Sequence, residues 1–235
     1  MQDVTDSFTY PTEREDWLKT IGIGGALLVF SFLLVPLLAV YGYLVRVVRA
    51  SLADAAEPPV FDDWEGLLVD GLKAWVIGLA YMLVPLLVAG VTVSGSILAI
   101  ATGSEAGAAA GIAGLLGGLA LSVLLSLVFG YVAVAALLNF AAEGSLGAAF
   151  DFDALADVLL DTDFVISWPV SVLVFLVVGV VASALSAVPI VGSIVAAFPT
   201  FYAMVVVADV LADGFDAART PSEDAEAGRT GEMAV

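Results

Sequence analysis

The sequence predicts an all-α, polytopic transmembrane helical bundle with about five spans, on three observations. Hydrophobic residues make up 61% of the 235 positions and charged residues only 14%, with a mean hydropathy of +1.07. A soluble domain holds roughly 45–50% apolar residues and has no core large enough to absorb this excess. Several apolar runs also exceed the ~20 helical residues that cross ~30 Å of hydrocarbon. Third, nearly all of the 25 acids fall outside those runs.

Residues 1–19 are polar, with Asp3, Asp6, Glu13, Glu15 and Asp16 where a secretion signal needs positive charge, so the N-terminus is expected to be kept. The first run, residues 20–45, contains Pro36 and has Trp17 before it and Tyr41 and Tyr43 near its end, as in an interfacial aromatic belt. Runs two and three, residues 72–101 and 107–138, are longer than a minimal span, which implies tilt, extension past the lipid, or a break at Pro85 or at glycines. Run four covers residues 165–187 and stops before Pro189; run five covers 190–207 and is interrupted by Pro199. The transmembrane domain thus occupies residues 20–213, and residues 214–235, polar and small, read as a disordered acidic tail.

Two connections carry amphipathic patterns that predict interfacial helices. After Pro58-Pro59, residues Phe61, Trp64, Leu67, Leu68 and Leu72 share one stripe, while Asp62, Asp63, Glu65 and Asp70 lie elsewhere. Between runs three and four, Phe152, Leu155, Val158 and Leu159 face one way and Asp153, Asp157 and Asp161 another. The interval from Gly42-Tyr43 to Phe61-Asp62-Asp63 resembles that from Gly130-Tyr131 to Phe150-Asp151-Phe152, and Phe201-Tyr202 opens a shorter third copy. Asn139 to Gly144 aligns with Asp209 to Gly214. An internal parallel repeat follows, with both amphipathic loops on one membrane face. Five spans would put Arg14 and Lys19 on one face and Arg46, Arg49, Lys73, Arg219 and Arg229 on the other, so the positive-inside rule places the N-terminus outside the cell membrane and the C-terminus in the cytoplasm.

Composition also narrows the chemistry. There is no cysteine and no histidine, which removes disulfides, thiolate nucleophiles, Cys or His metal sites and imidazole acid-base work. A formal charge of −18 disfavours nucleic acid and anionic lipid as partners and resembles the balance of proteins from salt-loving archaea. The candidate interaction loops are Phe61, Asp62, Asp63, Trp64 and Asp70 in the first connection and Phe150, Asp151 and Asp153 in the second. Their acids lack the spacing of a calcium loop, so they read as a solvated face, with Asp151 or Asp153 capping a helix; no metal and no cofactor is expected. Lys73 reads as a snorkelling side chain paired with Asp70 one turn earlier. Asn139 and Asp209 are either interfacial polar residues or hydrogen-bond partners between spans. Gly103, Gly107, Gly111, Gly114 and Gly118 are spaced for close helix packing, within the chain or against a second copy. Serines in the runs are explained by back-bonding to helix carbonyls.

Gly24-Gly25, Gly42-Tyr43 followed by Arg46 and Arg49, the Pro59-x-Phe61-Asp62-Asp63-Trp64 loop, Asp70-Gly71-Leu72, and Tyr81 with Pro85 resemble the archaeal and bacterial membrane family catalogued as domain of unknown function 4013. Asn139-Phe140, Glu143-Gly144 and Ala149-Phe150 are similar to its second half, so the resemblance covers residues 10 to 215. It implies a multi-pass membrane domain and brings no reaction or ligand. The expected function is a non-enzymatic membrane scaffold that recruits a partner, either a cytoplasmic protein or a second copy, beside the lipid bilayer. The alternative is a small transporter or channel component built on proline-broken helices.

Overall fold

The computed structural model describes residues 4–188 and 190–220, all helix, turn or coil, with no strand among them. Among the described residues eight α-helices follow one another: α1 (Val4–Thr9), α2 (Trp17–Val29), α3 (Leu34–Ser51), α4 (Trp64–Ala101), α5 (Glu105–Glu143), α6 (Phe152–Leu160), α7 (Thr162–Leu185) and α8 (Val191–Arg219). Short 3-10 turns at Tyr10–Thr12 and Leu146–Phe150 join α1 to α2 and α5 to α6. Five helices, α3, α4, α5, α7 and α8, are long and apolar enough to cross a membrane; α2 is apolar but shorter.

The chain forms two compact units, residues 1–75 with 135–235 and residues 76–134. In the first, α8 is the central post: α2, α3 and α7 all pack on it, and α6 packs on α7 and α8. From Phe201 to Phe215 almost every residue of α8 is buried, Asp209 included. A helix surrounded this way needs small neighbours. A Cβ at Gly24 or Gly25 would overlap the rings of Phe201 and Phe198, and one at Gly214 would press on Ser167 of α7. Gly42 and Gly71 form the tightest crossing, between α3 and the start of α4, where each faces the other helix's backbone directly at the carbonyls of Leu67 and Leu38.

The second unit is a hairpin of the outer parts of α4 and α5, and its 59 residues contain no Lys or Arg. Gly107, Gly111, Gly114 and Gly118 lie against Thr102, Ser96 with Ile100, Ser96, and Thr92, so this glycine register is filled by α4 of the same chain. Gly103 has a different role. It sits in the turn at φ 69° with nothing near its missing side chain, in a left-handed conformation that glycine adopts without strain.

Several expectations need correction. The run at residues 20–45 is two helices, interrupted at Phe30–Leu33. Pro36 falls in the first turn of α3, where its missing N–H is tolerated, while its ring bars the preceding turn from continuing as helix. Pro199, expected to interrupt its run, and Pro85, where a break was one of the explanations open for the long second run, lie inside continuous α8 and α4. The first connection holds no separate interfacial helix: Trp64 opens the 38-residue α4, and residues 58–63 are extended or bent. The second does form one, α6, with Leu155 and Val158 buried. Helix α8 runs on to Arg219, past the expected boundary at residue 213; the rest of the expected tail, with Arg229 and also Pro189, lies outside the described residues. The polar N-terminal segment packs against α8, burying Ser7 and Tyr10.

Directions along α8 show how α2 and α3 run. Tyr43 of α3 meets the ring of Phe201, and Ser51 meets Asp209 further along, so α3 runs with α8. Tyr202 donates to the Phe8 carbonyl while Gly24 and Gly25 reach back to Phe201 and Phe198, so α2 runs against it. Helices α2 and α3 are therefore an antiparallel hairpin. Within the first unit this brings the N-terminal segment, the end of α3 and the C-terminal end of α8 to one end.

Candidate functional site

That shared end is where the first unit's polar contacts collect. Arg46 extends from the last turns of α3 and forks: Nη1 donates to the Asp62 carbonyl and carboxylate at 2.9 and 2.8 Å, and Nη2 to those of Asp63 at 3.0 and 2.9 Å. One guanidinium thus holds both the backbone and the side chains of the loop. Asp63 stands at φ 42°, a left-handed conformation costly for a side-chain-bearing residue, and its carboxylate also accepts from the Gly66 amide at 3.2 Å, starting α4.

Aromatic packing fixes the rest of the loop. The Tyr43 hydroxyl donates to the Pro59 carbonyl at 3.0 Å, and its ring stacks on Phe61 with centroids 4.2 Å apart and planes 12° apart. Phe61 in turn lies 5.9 Å from Trp64 and 6.0 Å from Phe201. Phe61 is therefore an anchor, while Asp62, Asp63 and Trp64 face solvent, with Trp64 47% exposed.

Asp70 is paired with Arg49 of α3, one turn beyond Arg46, and not with Lys73 as expected. A partner across helices wins because Arg49 is already fixed there: it donates to the Ala141 carbonyl at 3.2 Å and lies over the Phe140 ring at 5.8 Å. Arg49 thereby joins α3, α4 and α5. Arg219, near the end of α8, pairs with Glu143 at 2.8 Å.

The second candidate loop is built differently. Asp151 caps α6 by accepting from the Ala154 amide at 3.2 Å, Asp161 caps α7 through the Asp163 amide at 2.9 Å, and Asp153 and Phe150 are exposed. Asn139 donates to the Ala148 carbonyl at 2.8 Å. Both Asn139 and Asp209 are buried; Asp209 is bonded across helices by Ser51 of α3, whereas Asn139 bonds the turn before α6 and not another span.

Sequence reasoning missed a third feature, an open cavity of about 230 Å³ between the N-terminal segment, the end of α3 and α8. Asp6, Glu13, Asp54, Asp209 and Asp213 line it together with Tyr10 and Ser51. Asp209, 4% exposed, is bonded by the Ser51 hydroxyl and faces no cation. Ser7 and Tyr10 are buried beside this pair. Burial pushes the Tyr10 phenol up to about 12, and the Asp209 carboxylate adds to the rise. Arg14, outside the cavity, bonds Asp16 at 3.0 Å, which holds that carboxyl below its ordinary range, and also pairs with Glu57 at 3.0 Å. The hint in the sequence was Asp209, just past the fifth apolar run. Among the described residues no group of three or more acids converges closely enough to hold a metal ion.

Comparison with known proteins gives one match. The family described as Protein of unknown function (DUF4013) matches residues 26–187, from the end of α2 through α7. No curated protein and no solved structure matches significantly. The match covers most of the chain, including the Arg46 loop and the Gly42–Gly71 crossing, and the chain therefore belongs to the DUF4013 family.

Proposed function

We propose that the protein is a non-catalytic membrane scaffold that presents its first loop, rigid and acidic, to a protein partner in the cytoplasm. The observation that carries this reading is the Arg46 fork, which immobilises Asp62 and Asp63 and leaves Trp64 exposed beside them. An aromatic anchor next to preorganised charge binds with little ordering entropy, as interface hot spots do.

The reading places the polar end on the cytoplasmic face of the cell membrane. Arg14, Arg46, Arg49 and Arg219 are ion-paired there, and the positive-inside rule applies to such an end. Helix α2, at about 20 Å, is shorter than the hydrocarbon layer, so the α2–α3 hairpin enters and returns on the same face, with both termini cytoplasmic. Its turn suits lipid depth: Phe30, Phe32 and Leu33 are exposed, and the amides of Phe30, Ser31 and Leu33 are bonded to Ala26, Leu28 and Phe30. The transporter alternative loses its proline-broken helices, since Pro85 and Pro199 leave α4 and α8 continuous. The dense acids of the polar end suit a salt-rich cytoplasm.

A photoreactive amino acid in place of Trp64, activated in intact membranes, tests the reading. A discrete protein adduct that disappears when Arg46→Ala frees the loop supports it. Lipid adducts alone would place Trp64 in the interfacial belt and end the recruitment proposal.

A further inference from the structure

We propose that the element recruited by the first loop is a cationic amphipathic helix, seated along the first turns of α4 beside the Arg46 fork. This rests on the scaffold reading and names the class of its protein partner.

Charge places the start of α4 outside the lipid. Arg46 and Arg49 of α3 meet Asp62, Asp63 and Asp70 there, and Lys73 follows one turn after Asp70. Ionised groups stay out of hydrocarbon, so the segment from Trp64 to Leu72, about 13 Å of helix, stands beyond it. Yet its outer face is apolar. Trp64, Val69 and Leu72 are 47%, 46% and 48% exposed, and Leu68 is half-buried. Trp64, Leu68 and Leu72 recur every fourth residue and form one stripe. Leu67 and Gly71, on the other side of the helix, are buried against α3, and that crossing holds the stripe outward. A rigid stripe of this spacing takes an apolar helix face as its complement.

The surrounding charge gives the sign of that helix. Residues 50–72 hold six acids and no Lys or Arg. Arg14, Arg46 and Arg49 return three charges, through Glu57, Asp62 with Asp63, and Asp70. The segment keeps a formal excess of three negative charges, and Glu65 is exposed on the flank of the stripe. A second copy of this chain, at −18, would be repelled, as would a nucleic acid or an anionic membrane. A helix with apolar anchors on one face and Lys or Arg beside them meets both features together: its anchors cover the stripe, and its cations face Asp62, Asp63 and Glu65.

The test uses the full chain in zwitterionic phosphatidylcholine nanodiscs, with empty nanodiscs as background. The probe is a labelled leucine-lysine peptide of about 18 residues, roughly five turns, with its leucines at helical spacing, and binding is read by fluorescence anisotropy. Saturable binding is expected, at least tenfold tighter than that of a scrambled peptide of the same composition and absent when glutamate replaces the lysines. Trp64→Ala should weaken it tenfold or more and Glu65→Gln severalfold. Asp157→Asn, which removes an equal charge from α6, should leave it unchanged. Equal binding of the scrambled peptide, full affinity in Trp64→Ala, or equal losses in Asp157→Asn and Glu65→Gln overturns the proposal. A protein adduct at a photoreactive position 64 without peptide binding overturns the basic-helix assignment and leaves the scaffold reading standing, whereas lipid adducts alone end both.

Discussion

Replacing Gly71 by alanine adds one methyl group where α3 and α4 touch backbone to backbone. That methyl would overlap the Leu38 carbonyl oxygen, and it would lie 2.7 Å from the carbonyl carbon and 2.9 Å from the Gly42 amide nitrogen. Restoring an ordinary contact of ~3.5 Å with the Leu38 carbonyl oxygen requires the helices to part by roughly 1.5–2 Å, because no flexible side chain is available to yield. Overpacking of this kind costs about 1–3 kcal/mol. Against it stands the helix preference of alanine over glycine, about 0.5–1 kcal/mol. The net loss is then up to about 2.5 kcal/mol, before any loosening of the Arg49–Asp70 pair that the same crossing supports. Gly78, two turns along the same helix, has nothing within 4 Å of its missing Cβ, so Gly78→Ala retains only the favourable part. For a chain of this size 1 kcal/mol corresponds to a Tm shift of roughly 2–4 °C. Thermal unfolding in one detergent, followed by circular dichroism, should show Gly71→Ala melting below the parent and Gly78→Ala at or above it. A Gly71→Ala protein as stable as the parent would refute the claim that this crossing depends on the missing side chain.

Other outcomes follow from the polar end. Arg49→Ala leaves the largely buried Asp70 carboxylate without its partner and should lower stability by about 1.5–3 kcal/mol, whereas Arg14→Ala, at an exposed pair, should change it by less than ~1 kcal/mol; equal melting temperatures would contradict this ranking. Asp54 closes the end of α3 at φ 51°, where the Ala55 amide bonds back to Ala50, so Asp54→Gly should relieve strain worth about 1 kcal/mol, and a destabilised variant would show that the carboxylate matters more than the backbone. Because burial pushes the folded phenol of Tyr10 up to about 12 from its ordinary 10.0, its contribution is complete below pH 10 and is lost as the pH rises from 10 towards 12. Ultraviolet difference titration against Tyr10→Phe reads this directly, and a Tyr10 transition at its ordinary value would mean that the N-terminal segment is not docked. Single cysteines at Glu15, Glu57 and Ser145 should react from the same side with an impermeant maleimide; Glu15 labelling from the opposite side to Glu57 would rule out the α2–α3 hairpin.

The sequence by itself determined the class of the protein and the position of four of its five long apolar helices. Those features depend on local quantities: apolar run length against bilayer thickness, helical stripes, and side chains that cap the helix beginning beside them, as Asp151 and Asp161 do. Tertiary structure decided what each feature does. Proline illustrates the difference, since Pro36 sits beside a helix break while Pro85 and Pro199 lie within intact helices. The first run folds back because both of its halves find room on α8, at Gly24 and Gly25 for one and at Tyr43 for the other, and no local pattern records the shape of a distant helix. Choice of partner was hidden for the same reason. Asp70 has Lys73 nearby in sequence but is paired with Arg49, and Asp209 meets Ser51 across 158 positions. Electrostatic contacts follow distance in space, and in a bundle assembled around one central helix that distance is set by packing.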